Sequence, residues 1–288
     1  MAKRRKREKD AITKIKESLL KKLHAFRETK ILVGTPIYEG LRPLMPMFVR
    51  YLNYESMNYK NLKWFWVINN SKPEFVKEME EYKDLNNFPL EILDLGEIPD
   101  KLEAVRQCEN AIWKKAIDDN YQVLYSLEQD NLPVIPTPYG DPLDIMIWHL
   151  AKPEIGMVSG KYFYKKLGHA IGDGEFFHAG LNEGNLDGDR RMDMVVVKQT
   201  NELAKAQMKQ KLPYADVDGL PFGMTVIKRD VFSKLFEFPP EKELHPYGTT
   251  DLWYSNEVKK MGWKLRRLHD VVSQHLFVKE DKKTIITY

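Results

Sequence analysis

The sequence contains one cysteine, Cys108, in 288 residues. A disulfide framework and a thiolate metal cluster are therefore excluded, and we expect a protein of a reducing compartment such as the cytoplasm. Cys108 falls within a predicted helix and has no activating partner nearby in the sequence. We therefore interpret it as a buried structural thiol.

Long apolar runs are also absent. No stretch approaches the roughly 20 apolar residues of a membrane span, and the charged N-terminus has no apolar segment of the kind found in a secretory signal. There is no internal repeat, and neither G-x-G-x-x-G nor GK[ST] occurs. With 43% hydrophobic residues the chain can bury a large core, so we expect a globular protein.

An excess of positive charge is absent outside the first 30 residues. The whole chain has a net charge of +3, but residues 1–30 hold 12 Lys/Arg against 4 Asp/Glu, which leaves a net charge of −5 for the remainder. The basic run at 3–9 could attract nucleic acid or an anionic membrane surface, or remain a solvated tail.

The apolar residues behind the basic run recur at helical spacing and predict an amphipathic helix over residues 10–28. This helix could pack on the body, pair with a second copy or lie on a membrane. Residues 1–28 are therefore our candidate for a peripheral contact with the inner face of a membrane.

From Ile31 onward, strand patterns and helix patterns alternate. The predicted strands of the first half are 31–36, 62–70, 89–95 and the run that ends at 127, and the predicted helices are 41–57 and 100–119. This order predicts right-handed crossovers and a mainly parallel α/β sheet covered on both faces. For the second half we predict helices at 141–151, near 229 and at 252–262, and strands at 155–164, 263–268 and 271–276, with a further apolar strand just before the helix near 229. We also predict a long loop at 168–193.

The apolar stretch YQVLYSLEQDN (121–131) stops abruptly at Glu128, Gln129 and Asp130. Two carboxylates one residue apart at a strand end point the same way out of the sheet edge. Oxygen ligands of this kind suit a hard divalent cation that also binds phosphate. The simpler interpretation, a strand that ends in polar residues, remains open.

Three polar loops follow predicted strands, at 35–40, 68–74 and 128–131. In an open parallel sheet the ligand lies at the carboxyl ends of the strands, so we expect these loops to meet. The polar side chains in the first two loops suit the base, ribose and phosphates of a nucleotide; they are Thr35, Tyr38, Asn69, Asn70 and Ser71. Lys101 and Arg106 could reach a diphosphate from the following helix, or form a solvated face.

Together these segments resemble the GT-A fold of nucleotide-sugar-dependent glycosyltransferases, with a pattern similar to family 2. The matching stretches are ILVGTPIYEG (31–40), FWVINNSKPE (65–74), the helix at 101–119, GLPFGMTVIKRDVF (219–232) and YGTTDLWYSNEVKKMGWKLRRL (247–268). The D-x-D motif of the family falls on Glu128, Gln129 and Asp130, with Glu in place of the first Asp. The resemblance implies one domain at 31–276, with a nucleotide-binding half at 31–131, an acceptor-binding half at 132–276 and a tail at 277–288.

The resemblance also implies a donor, a metal and a set of site residues. The donor would be a UDP- or GDP-sugar and the acceptor a carbohydrate, a lipid-linked group or a protein, with no specific nucleic acid as partner. Asp130 would be the main ligand of Mn²⁺ or Mg²⁺, Glu128 the second, and His275 would complete the site. The implied donor-binding residues are Thr35, Pro36, Tyr38, Glu39, Asn69, Asn70, Ser71, Lys101, Arg106 and Gln129, and the implied acceptor-binding residues are Phe222, Gly223 and Trp253.

The implied catalytic base is Asp251. Thr250 stands where the Glu of the usual Glu-Asp pair would be, so only Asp251 matches. A carboxylate that takes the proton of an acceptor hydroxyl suits direct displacement at the anomeric carbon, with inversion, while a bound cation neutralises the leaving diphosphate.

Several alternatives stay open at this point. Thr249, Thr250 or Asp251 could simply cap a helix, and in a retaining enzyme Asp251 would orient the acceptor instead. A nucleotidyltransferase would need a glycine-rich basic turn after the first strand, which residues 35–40 lack. A non-catalytic module anchored to nucleic acid or a membrane by residues 3–9 is an alternative from another class.

Overall fold

The computed structural model describes most of the chain from residue 27 onward. The described residues are 27–85, 88–134, 140–164, 169–171, 213–240, 243–244, 249–278 and 285–287. The basic tail and nearly all of the predicted amphipathic helix lie outside these ranges, as does most of the predicted loop at 168–193.

The described elements alternate between strand and helix in the first half and become strand-rich in the second. The strands are β1 Ile31–Ile37, β2 Leu62–Ile68, β3 Leu90–Asp94, β4 Val123–Leu127, β5 Asn131–Pro133, β6 Ile155–Tyr164, β7 His169–Ile171, β8 Tyr214–Val217, β9 Met224–Lys228, β10 Lys264–Val278 and β11 Ile285–Thr287. The helices are α1 Met45–Asn58, α2 Pro73–Leu85, α3 Lys101–Asp118, α4 Pro142–Leu150, α5 Arg229–Phe232 and α6 Thr250–Lys260, and a 3-10 helix spans Glu39–Leu44.

The strands form one mixed sheet in the order β11-β10-β6-β9-β4-β1-β2-β3. The block β3-β2-β1-β4 is parallel, β9 runs antiparallel between β4 and β6, and β6 is parallel to β10. The short strands β5 and β8 pair antiparallel with β10. Because β2 and β4 lie on opposite sides of β1, the strand order reverses at β1 and β4, which is where such sheets open a ligand crevice.

Helices cover both faces of the sheet, as the α/β prediction requires. One core contains Trp64 and Trp66 and is covered by α1, α2 and α4. The other contains Phe65 and Cys108 and is covered by α3, α5 and α6. The side chains alternate because successive strand residues face opposite sides. The aromatic residues of β2 are all buried, and the predicted burial of the Cys108 thiol is confirmed.

Helix α3 packs unusually close to β1. A Cβ atom placed on Gly34 would overlap the side chain of Ile112. Only glycine leaves room for this contact, which brings the preceding turns of α3, with Val105 and Glu109, towards the carboxyl ends of β1 and β4.

One helix was missed by the sequence analysis, and one expectation about the strands was wrong. Helix α2 was not predicted, although Phe75 and Met79 lie four residues apart on its buried face. The two strands predicted at 263–268 and 271–276 are one strand, β10. Its register with β6 shifts between Arg267 and Val272, and its antiparallel partner changes there from β8 to β5. This irregularity accommodates the polar residues between the two predicted segments, so the strand continues through them.

No helix in the described part of the chain is long and apolar enough to cross a bilayer.

Candidate functional site

A cavity of about 250 Å³ lies where the carboxyl ends of β1 and β4 meet α3. Its lining residues are Pro36, Tyr38, Leu41, Val105, Glu109, Ile112, Trp113, Ser126, Glu128, Gln129, Asp130 and Phe222. The predicted meeting of the loops at 35–40 and 128–131 is therefore confirmed. The loop at 68–74 joins them, since the backbone N–H of Lys72 donates to Glu39 Oε2 at 3.1 Å.

Backbone contacts with neighbouring segments hold the two carboxylates after β4 in position. The N–H of Glu128 donates to the carbonyl of Gly223 at 3.0 Å, and the N–H of Leu276 donates to the carbonyl of Asp130 at 2.7 Å. Asn131 Nδ2 donates to Glu128 Oε2 at 2.8 Å. We call Glu128, Asp130, Asn131 and His275 the metal side of the cavity.

His275 lies beside Asp130, as the resemblance implies. Its Nε2 is 3.2 Å from Asp130 Oδ2. The contact arises because β10 pairs with β5 directly after the turn, with His275 opposite Asn131. The structure therefore brings together two residues that are 145 positions apart in the chain.

The metal side suits a cation that is shared with a ligand. Among the described residues, no three His, Cys, Asp or Glu side chains are placed to hold a metal ion by themselves. Mg²⁺-type ions are usually held by one or two carboxylates together with substrate phosphates, and imidazole also suits Mn²⁺. Asp130, with Glu128 and His275 close to it, fits that kind of site.

The electrostatics of the cavity also favour a cation. Burial raises the pKa of Glu128 to about 8, and the nearby charges of Asp130 and Asp251 contribute to the increase. Burial likewise raises the pKa of Asp251. A divalent cation next to these carboxylates would favour their charged forms and offset this cost.

Asp251 lies in the first turn of α6. The residue that caps the helix is Thr249, whose backbone is extended, with φ −137° and ψ 153°. Asp251 Oδ1 accepts hydrogen bonds from Thr249 Oγ1 at 2.5 Å and from the N–H of Leu252 at 2.9 Å. An acid at this position is also favoured by the helix dipole, so its role as base stays a prediction. We call Thr249, Thr250 and Asp251 the base side.

Gln129 connects two loops of the site. Its side chain is 1% exposed. Oε1 accepts from the N–H of Tyr38 at 3.0 Å, while Nε2 donates to the carbonyl of Leu41 at 3.2 Å and contacts Met45 Sδ at 2.9 Å. These bonds give Gln129 a structural role, and its contact with a donor stays a prediction.

The polar residues after β2 are also engaged within the protein. Asn69 is buried and donates to Cys108 Sγ at 2.9 Å, which ties β2 to α3. Asn70 has a positive φ of 50°, and its amide exchanges two hydrogen bonds with the backbone of Ile98, at 2.5 and 2.8 Å. Ser71 Oγ donates to the carbonyl of Asn69 at 3.0 Å. These bonds shape the loop, and nucleoside contacts by these residues stay predictions.

The other predicted donor residues differ in their placement. Pro36 and Tyr38 line the cavity, whereas Thr35 is fully buried within β1. Arg106 bonds to Glu103 through Nε at 2.7 Å and to the carbonyl of Phe238 at 2.9 Å, so in this structure its guanidinium is held by protein groups. Lys101 is exposed at the start of α3.

Among the predicted acceptor residues, Phe222 and Gly223 lie at the cavity and Trp253 does not line it. Phe222 is buried against Trp113, with ring centroids 5.1 Å apart. A Cβ atom on Gly223 would lie 2.8 Å from Glu128 Oε2, so glycine allows the close approach here. Trp253 packs against Phe238, with ring centroids 5.9 Å apart.

Sequence reasoning missed Glu109 and Asn131. Glu109 lies on the buried face of α3 with Cys108 and Ile112, lines the cavity and accepts a hydrogen bond from Thr250 Oγ1 at 3.1 Å. A charged residue within the apolar pattern of an amphipathic helix is the signal that could have identified it. Asn131 directly follows the acidic motif, but nothing in its sequence position indicates that it would bind Glu128.

Searches with the sequence found no matching family model and no matching curated protein. Solved structures do match. A mannosyltransferase from Pyrobaculum calidifontis, in complex with GDP-Man and Mn²⁺, matches with a TM-score of 0.53 at 16% identity, over 85% of this chain and 56% of that protein. Glucosyl-3-phosphoglycerate synthase from Mycobacterium tuberculosis, in complex with Mn²⁺ and UDP, matches with a TM-score of 0.52 at 11% identity, over 90% of this chain and 77% of that protein.

A third match is TarS 1-349 of S. aureus in complex with UDP, with a TM-score of 0.50 at 11% identity, over 85% of this chain and 59% of that one. The chain thus spans a little over half the length of the mannosyltransferase and of the TarS fragment. At these identities the likeness establishes the fold and leaves the activity to be argued from the site. The chain adopts the GT-A fold shared by these glycosyltransferases.

Proposed function

We propose that this protein is a metal-dependent glycosyltransferase that moves a sugar from a nucleotide-diphosphate donor to an acceptor hydroxyl. The observation that carries the proposal is the convergence of Glu128 and Asp130 at a cavity between the carboxyl ends of β1 and β4, with His275 beside Asp130. The structural neighbours support it, because their crystals hold GDP-Man with Mn²⁺, UDP with Mn²⁺, or UDP.

The metal side would hold the cation and, through it, the diphosphate. Asp130 is the principal ligand in this proposal, with Glu128 and His275 as its neighbours, and the ion is Mn²⁺ or Mg²⁺. When bound, the cation supplies Lewis-acid stabilisation of the leaving diphosphate. The hydrogen bond from Asn131 orients the Glu128 carboxylate towards the turn at 128–131, and the absence of a side chain on Gly223 leaves room for it.

The base side would activate the acceptor. Asp251 takes the proton of the attacking hydroxyl, and displacement from the face opposite the diphosphate inverts the anomeric carbon. A retaining enzyme of the same fold remains the alternative, in which Asp251 orients the acceptor. The proposed acceptor is a carbohydrate, a lipid-linked group or a protein. We also propose a cytoplasmic location, with membrane contact through residues 1–28. The proposed domain spans 31–276, with a nucleotide-binding half at 31–131 and an acceptor-binding half at 132–276.

Thermal unfolding tests the proposal directly. We expect UDP or GDP and the corresponding nucleotide sugars to raise the melting temperature in the presence of Mn²⁺, and to raise it much less with a chelator present, because a ligand of the native state stabilises it by mass action. CDP and dTDP serve as comparisons for the base. If no nucleoside diphosphate gives a metal-dependent shift, the proposed function is wrong.

A further inference from the structure

Glu109 has an unsatisfied carboxyl oxygen at the cavity. The residue is 8% exposed and lines the cavity from α3. Its Oε1 accepts a hydrogen bond from Thr250 Oγ1 at 3.1 Å, whereas its buried Oε2 has no hydrogen-bond partner among the described residues. A buried oxygen of this kind costs free energy unless something binds it.

The surroundings of Glu109 explain why a ligand would be the partner. Its neighbours on the cavity wall, Val105, Ile112, Trp113 and Phe222, offer no charge to a carboxylate. Burial raises the pKa of Glu109 well above its ordinary value, with smaller contributions from Asp251 and Glu128. Burial therefore favours the neutral form of this carboxyl group, in which Oε1 accepts from Thr250 and Oε2 carries a hydrogen-bond donor.

The position of Glu109 indicates which part of a ligand it meets. Glu109 accepts a hydrogen bond from Thr250 of the base side, and it lines the same cavity as Glu128 and Asp130 of the metal side. In a direct displacement, the transferred sugar must lie between the leaving diphosphate and the attacking hydroxyl. A sugar between the two sides would present its hydroxyl groups to Glu109.

We propose that Glu109 is a specificity-determining residue, whose Oε2 hydrogen-bonds a hydroxyl group of the transferred sugar. This inference rests on the proposed function and deepens it. Thr250 acts as a positioning residue that holds the other oxygen of the same carboxyl. Sugars that present a hydroxyl at this point bind more tightly than those that lack it, because the site otherwise keeps a buried polar group without a partner.

The experiment compares the affinity of a nucleotide sugar with that of the bare nucleotide. The probes are UDP, UDP-glucose, UDP-galactose, UDP-N-acetylglucosamine, GDP and GDP-mannose, each with Mn²⁺, measured by calorimetry. The quantity compared is the ratio of the affinity for a nucleotide sugar to the affinity for the bare nucleotide. In Glu109→Met this ratio should fall about tenfold, while the affinity for UDP or GDP stays unchanged. Glu109→Gln, which keeps a donor and an acceptor, should stay within about threefold of the wild type on the same scale.

Deoxy donors identify the hydroxyl. One of the 2-, 3-, 4- or 6-deoxy forms of the tightest-binding nucleotide sugar should bind the wild type about tenfold more weakly and bind Glu109→Met no more weakly than the parent sugar does. Glu109→Asp, which withdraws the carboxyl by one methylene, should reproduce the loss and replaces the Met variant if that variant does not fold.

Glu55 provides the matched control. It is a fully buried glutamate on α1 and is not among the cavity-lining residues of the described chain. Glu55→Gln should leave the affinity added by the sugar unchanged, whatever it does to stability. Each of three results would overturn the inference. The first is a Glu109→Met variant in which the sugar adds as much affinity as in the wild type, and the second is a Glu109→Gln variant that loses as much of this affinity as the Met variant. The third is a wild type that binds nucleotides but gains no affinity from any sugar. Absence of metal-dependent nucleotide binding in the wild type would instead reject the proposed function.

Discussion

The metal side of the cavity and the base side, which contacts the cavity wall through Thr250 and Glu109, are held by different kinds of structure. On the metal side, backbone hydrogen bonds from Glu128 to Gly223 and from Leu276 to Asp130 lock the turn between neighbouring strands. On the base side, the Asp251 carboxylate is held by the Thr249 hydroxyl and the N–H of Leu252 at the start of a helix. The first arrangement is fixed by backbone hydrogen bonds from two neighbouring segments, which the stability of a single helix would not require. The second would look much the same if Asp251 only stabilised the helix, so geometry supports the two assignments unequally.

The largest expected effect separates these two interpretations of Asp251. Asp251→Asn should lower kcat by about 10²–10⁴-fold, since proton transfer contributes on that scale, and should leave the affinity for nucleotide and Mn²⁺ unchanged. Steady-state kinetics and calorimetry measure the two quantities. Asp230→Asn, an exposed acid in the first turn of α5, is the control and should keep full turnover. Turnover at the wild-type rate in Asp251→Asn would show that the base side has only a structural role.

The next effect concerns the metal side. Asp130→Asn should weaken Mn²⁺-dependent binding of UDP or GDP by about 100-fold, because a charged ligand is replaced by a neutral amide. Binding in the presence of a chelator should be the same in both proteins. Equal affinity in the presence of Mn²⁺ would contradict the assignment of Asp130 as principal ligand.

A smaller effect tests whether the rigidity of the metal side matters. In Gly223→Ala the added Cβ would lie 2.7 Å from Asn131 Nδ2 and 2.8 Å from Glu128 Oε2, and so would displace the pair. Overpacking of this kind costs about 1–3 kcal/mol, so for a chain of this length we expect a melting temperature lower by about 2–5 °C and Mn²⁺-dependent binding weaker by about tenfold. Gly40→Ala, with no atom within 4 Å of its new Cβ, is the control. Identical behaviour of the two variants would show that the Glu128–Asn131 contact is unimportant.

The smallest expected effect is on the pH dependence of the melting temperature, measured without ligand. The pKa of Glu128 is raised from 4.5 to about 8, so the folded state keeps a proton that the unfolded state releases in this range. The corresponding stability is present below pH 4.5 and is lost as the pH rises to about 8. Glu128→Gln should therefore show a flatter fall of melting temperature over this window, and at pH 8 should melt about 2–4 °C above the wild type. If calorimetric scans give parallel profiles of melting temperature against pH for the variant and the wild type, the raised pKa of Glu128 is contradicted.

The sequence predicted the part of the site that depends on local pattern. Strands β1, β2 and β4 have clear apolar patterns, and their polar ends meet because the order of elements dictates a parallel block. The sequence could not predict the partners of Asn69 and Gln129, or the bond from Arg106 to Phe238, because these partners are distant in sequence. Glu109 was missed for a related reason: its burial depends on how closely α3 packs on Gly34, and that distance is a property of the assembled fold.

The Gln129 side chain gives the site a consequence of its own. It stands between Glu128 and Asp130 in sequence, yet its amide is bonded to the backbone of Tyr38 and Leu41 in the first loop. If a bound cation moves Glu128 or Asp130, the movement is therefore transmitted through Gln129 to the loop proposed to hold the nucleoside. The same bonds let that loop restrain the two carboxylates. Such a connection is reciprocal: by whatever factor the cation tightens nucleoside binding, the nucleoside tightens binding of the cation. Metal and nucleotide would thus act on this protein as cooperative ligands, and neither would reach its full affinity alone.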